Sequence, residues 1–131
     1  MFFRPSDGCP HEKGEDLAKP PEFYIQMKEK HPELIGAYEA LGKAAGDAGP
    51  LDRQTQALVK LALSIGAGME GSTHSSVRKA LVAGCSEDEL RHAVFLAVTT
   101  LGFPSMMRGR AWVEDVLAKN SAERDATRGD Q

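Results

Sequence analysis

The sequence is poor in several things at once. It has two cysteines in 131 residues, and they stand far apart at Cys9 and Cys85. That spacing rules out a local Cys-x-x-C redox pair, and a reducing cytosol disfavours a Cys9–Cys85 disulfide. Aromatic residues make up only 6% of the chain. No apolar run is long enough to span a bilayer, so no membrane partner is expected. Charge of one sign is not in excess either. The formal net charge of -3 gives no electrostatic reason to expect nucleic acid or anionic lipid as a partner. The start, "MFFRPSDGCPHEKGED", lacks a basic segment followed by an apolar one and does not read as a signal peptide. A cytoplasmic location is the default expectation.

What is present is a chain 41% hydrophobic and 27% charged, enough for one domain with a real core. Residues 1–18 are polar, with Gly, Pro and mixed charge, and read as an irregular arm. A single helical domain is expected over 19–120, followed by a charged, fraying tail over 121–131.

Six helices follow from periodicity and punctuation. "PPEFYIQMKEKHP" starts at a proline pair and stops at His31-Pro32. "PELIGAYEALGKAAGDAG" places Leu34, Tyr38, Leu41 and Ala45 at helical spacing and stops at Gly49-Pro50. Asp52 caps the third helix, whose segment Ala57–Ile65 is apolar nearly all round. Such a helix belongs in a bundle centre or an oligomer interface. The fourth starts near Met69 or Glu70 and ends at Gly84. Ser86 and Glu89 form a capping box for the fifth, which Gly102 and Pro104 break. Pro104 suits the first turn of the sixth, "PSMMRGRAWVEDVLAKN". No strand-period alternation competes, so the chain is predicted to be all-α.

The stretch from Leu51 to Met107, "LDRQTQALVKLALSIGAGMEGSTHSSVRKALVAGCSEDELRHAVFLAVTTLGFPSMM", resembles the carboxymuconolactone decarboxylase family, which includes the AhpD-like alkylhydroperoxidases. The apolar helix, the glycine turn, "HSSVRKAL", "AGCSEDEL" and "GFPS" occur in the family's order. The resemblance implies a helical bundle assembling with itself as a trimer or hexamer. Redox members carry a Glu, a Cys-x-x-C and a His. On this chain those positions fall on Ala57, Met69, Ser72 and Ser76. Neither Met nor Ser can undergo the thiol–disulfide cycle, so dithiol peroxidase chemistry has no groups here.

Other ionisable groups stand close by in sequence. Glu70 and His74 are four apart and share a helix face. His92 lies on the next helix, one turn after Glu89. Glu70, His74 and His92 are therefore the candidate catalytic residues, acting as general base and acid on a small organic molecule. They are equally the candidate ligands of a divalent metal such as zinc, iron or manganese. The plain alternative leaves Glu70 favouring the helix dipole and both histidines as solvated or half-buried neighbours. The expected pocket lies between the third, fourth and fifth helices, with Met69 and Phe95 in its lining.

Two further readings stand beside this one. Cys85, just before a helix N-terminus, offers a one-cysteine peroxidase site. A non-catalytic oligomeric scaffold needs none of these groups. Ser72 and Ser76 lie two residues from His74, which therefore points off their face and cannot serve them as a base. Phe103, Met106, Met107 and Trp112 read as core or subunit contact, and Arg78 and Lys79 as a solvated face able to hold an anionic substrate.

Overall fold

The computed structural model describes residues 21–129. The N-terminal arm, with Cys9 and His11, lies outside the described residues. Six α-helices occur among the described residues: α1 Glu22–Lys30, α2 Pro32–Asp47, α3 Arg53–Gly66, α4 Glu70–Val82, α5 Glu87–Phe95 and α6 Phe103–Gly129. A 3-10 turn, Leu96–Thr99, follows α5, and no strand is present among the described residues.

The start signals work as their chemistry requires. The Asp52 carboxylate accepts from the Thr55 amide at 2.8 Å, satisfying one of the orphan donors of α3. Ser86 and Glu89 exchange reciprocal bonds at 3.1 and 2.9 Å, which starts α5. Those amide contacts hold the Glu89 carboxyl below its ordinary range, so this carboxylate stabilises the fold above that range and loses the effect as pH falls. Gly84 ends α4 at φ 97°, a left-handed conformation that glycine adopts without strain.

Two elements depart from the expected boundaries. The fifth helix was expected to run to Gly102, but α5 stops at Phe95 and tightens into the 3-10 turn. Val98, Thr99 and Thr100 are β-branched and weak helix formers, and Gly102 reverses the chain at φ 91°. The sixth helix does not stop at 120. It continues to Gly129 through the segment read as a fraying tail. Arg124 Nη2 holds Glu87 Oε2 at 3.2 Å, tying that extension to the start of α5.

The core is built from α3 to α6. Leu61, Ile65, Val77, Ala80, Leu90, Val94, Met106, Val113, Val116 and Leu117 form one buried cluster. A hydroxyl seam joins α3 to α4. Ser64 Oγ donates to the Lys60 carbonyl at 2.9 Å and lies 2.8 Å from Ser72 Oγ and 3.2 Å from Ser76 Oγ. In the α1–α2 hairpin the buried Tyr24 hydroxyl donates to Glu39 at 2.6 Å.

Helix α6 meets α3 where Gly109 lies against Ile65. A Cβ at Gly109 would sit 2.8 Å from Ile65 Cγ2 and 3.3 Å from Cδ1. Alanine in mid-helix gains about 1 kcal/mol of propensity over glycine. Overpacking a closed core costs about 1–3 kcal/mol, so the clash wins. Gly109→Ala is expected to lower the thermal midpoint, and Ile65→Ala should cost less in that background than in the parent. An unchanged or raised midpoint in Gly109→Ala would contradict this contact.

Candidate functional site

Helix α4 runs from the turn after α3 and presents three faces. Thr73, Val77 and Ala80 enter the core. Ser72 and Ser76 point at Ser64 of α3. Glu70 and His74, one turn apart, point towards α6. His74 therefore does point off the serine face, and no Ser–His nucleophile is assembled there.

The partner on α6 is Asp115, which sequence reasoning did not select. His74 Nε2 lies 3.3 Å from Asp115 Oδ2. One donor atom each from Glu70, His74 and Asp115 all fall within 4.8 Å of one another. The imidazole is the sheltered member, with 25% of its side-chain surface exposed against 57% for Asp115. Glu70 is exposed and sits in the first turn of α4, where a carboxylate favours the helix dipole. Two carboxylates and an imidazole around one point can orient and exchange a proton, or can share a cation.

The expected set is thus only partly assembled. Glu70 and His74 come together, while His92 is exposed on α5 and takes no part in this three-residue group. The meeting place is between α4 and α6 and not among the third, fourth and fifth helices. Met69 and Phe95, the expected lining, are each 46% exposed. The reason is topological, since α4 packs extensively on α3 and α6 and only slightly on α5.

The remaining candidates also have defined surroundings. Arg78 is not simply solvated. Its Nε is buried without a hydrogen-bond partner, and burial lowers its pKa. Lys79 is half-buried. Met106 is buried, Phe103 and Met107 are exposed, and Arg108 lies 5.0 Å above the Trp112 ring.

Cys85 has the opposite of a reactive environment. Its thiol is free, the residue is only 4% exposed, and Sγ donates to the Gln54 carbonyl at 3.7 Å. Burial raises its pKa, and the negative charges of Glu89 and Asp52 raise it further. The helix N-terminus at Ser86 does not outweigh these effects. A peroxidatic thiol needs the reverse.

With this geometry in view, the comparisons with known proteins are specific about family. The carboxymuconolactone decarboxylase family model matches residues 32–115, so the chain belongs to the carboxymuconolactone decarboxylase family. A solved structure from Burkholderia xenovorans LB400, provisionally named a carboxymuconolactone decarboxylase, superposes with a TM-score of 0.60 at 20% identity. The match covers 83% of this chain and 88% of that one, and it shows a shared fold. No curated protein gives a significant match.

The thiol environment yields a direct expectation. In a Cys9→Ser variant, the remaining Cys85 should react with a disulfide reagent at least about tenfold more slowly in native than in unfolded protein. Equal rates would contradict the buried, protonated thiol.

Proposed function

We propose that this chain is a small-molecule enzyme whose working groups are Glu70, His74 and Asp115, on a family scaffold that lacks the paired thiols. The observation that carries the reading is the His74–Asp115 contact of 3.3 Å with Glu70 alongside. A carboxylate beside an imidazole fixes its tautomer and supports a charged intermediate. Glu70 then stands at the open end of the group, where it can meet a substrate. The means is acid–base catalysis or metal assistance, and His92 is not needed for either.

Self-association belongs to the same proposal. Leu63, Leu96, Leu101, Phe103 and Met107 are between 38% and 63% exposed, although they are large and apolar. Leu96 and Leu101 come from the segment joining α5 to α6, and Leu101 packs near Gly66 of α3. Burial against another copy would remove this exposed apolar surface from water. It also favours the runner-up reading, an oligomeric scaffold with no turnover.

The deciding experiment is a turnover screen with small carboxylic acids, lactones and peroxides. Activity on a non-peroxide substrate should fall at least about a hundredfold in His74→Ala and Asp115→Asn, with the fold retained by circular dichroism. Full activity in both variants would remove this site from the chemistry. Leu63→Glu should lower the solution mass measured by light scattering, and an unchanged mass would remove that face from the interface.

A further inference from the structure

The site can be occupied in a way that acid–base chemistry alone does not require. We propose that Glu70, His74 and Asp115 bind one divalent first-row metal ion, for which zinc is the probe. This deepens the reading above and selects metal assistance over metal-free acid–base catalysis.

The donor set comes first. One imidazole nitrogen and two carboxylate oxygens suit zinc, iron or manganese. Two carboxylates and a neutral imidazole carry a charge of about -2, which a divalent ion cancels. The spacing comes next. Two donors about 2.1 Å from one zinc in tetrahedral geometry lie about 3.4 Å apart. His74 Nε2 and Asp115 Oδ2 are already 3.3 Å apart. The full set lies within 4.8 Å, so a modest contraction completes it.

The scaffold places that contraction where it is easy. His74 is the partly buried anchor, and Asp115 reaches it from a second helix. Glu70 is exposed and able to change rotamer without disturbing the core. Helical bundles build metal centres from ligands one turn apart on one helix together with ligands from facing helices, and an i, i+4 pair also places two metal ligands on one helix face. The dipole at the start of α4 opposes a cation weakly, and only within the first turn. His74 lies beyond that turn, and the two carboxylates outweigh the dipole. Three protein ligands also leave a coordination position open for water or a substrate oxygen, as in catalytic zinc sites.

The ligand set differs from the one the sequence suggested, and this makes the test sharp. Chelator-treated full-length protein would be dialysed against zinc and analysed for metal, with binding measured by calorimetry. The expected result is one zinc per chain, bound at least about tenfold more weakly in His74→Ala and Asp115→Asn, and unchanged in His92→Ala. The parent and all variants would be checked for fold by circular dichroism, and Glu70→Gln would serve as a variant without a volume change. No stoichiometric zinc, or zinc held equally by the parent and His74→Ala, would overturn the proposal. Metal-free turnover that still depends on His74 would remove the metal while leaving the proposed enzyme intact. Zinc binding without any turnover would do the reverse.

Discussion

The approach of α6 to α3 at Gly109 is the constraint on which the rest of the arrangement depends. Without a side chain there, the α6 backbone can lie against Ile65, where a Cβ would meet Cγ2 at 2.8 Å. That contact sets the height and rotation of a 27-residue helix. Val113, Val116 and Leu117 then fall into the core, and Asp115 between them falls beside α4. A shift of α6 by even one side-chain radius would separate Asp115 from His74. The apolar contact between α6 and α3 therefore positions the α6 member of a polar site whose other two members stand on α4.

The hydroxyl seam does comparable work on the other side of α4. Ser64, Ser72 and Ser76 satisfy one another within an otherwise apolar contact, and this fixes how α4 is rotated on α3. With the serines turned to α3, His74 must face α6. Ser72 and Ser76, at the positions that the family resemblance associates with the second thiol and the imidazole, are part of the packing. The polar groups with room to act lie on a different face of the same helix.

Much of the fold was legible in the sequence because its signals are local. Asp52, the Ser86–Glu89 box, Gly84 and Pro104 act within a turn of themselves, and all mark real helix boundaries. The two misplaced ends have non-local or marginal causes. The 3-10 turn after Phe95 reflects β-branched residues ahead of Gly102, a small preference settled by tertiary context. The extension of α6 past 120 is accompanied by the contact of Arg124 with Glu87, which is 37 residues away in sequence. The site divides in the same way. Glu70 and His74 are marked by their i, i+4 spacing, a local property. Asp115 stands 41 residues from His74, and periodicity alone gives no reason to choose it over other acids on α6. A weak signal existed, since Asp115 flanks the apolar positions Val113, Val116 and Leu117 and so lies at the edge of the buried stripe. His92 would join the site only if sequential helices packed most closely, whereas α4 packs more extensively on α6 than on α5.

The central claim is that Asp115, delivered by α6, completes a site begun by Glu70 and His74 on α4. Anomalous diffraction at the zinc edge, from crystals of the full chain grown with zinc, tests it most directly. The account predicts one peak per chain, within bonding distance of His74 Nε2 and of an oxygen from each of Glu70 and Asp115. A crystal with the His74–Asp115 contact intact and no peak beside it, or with zinc bound at His92 instead, would contradict it.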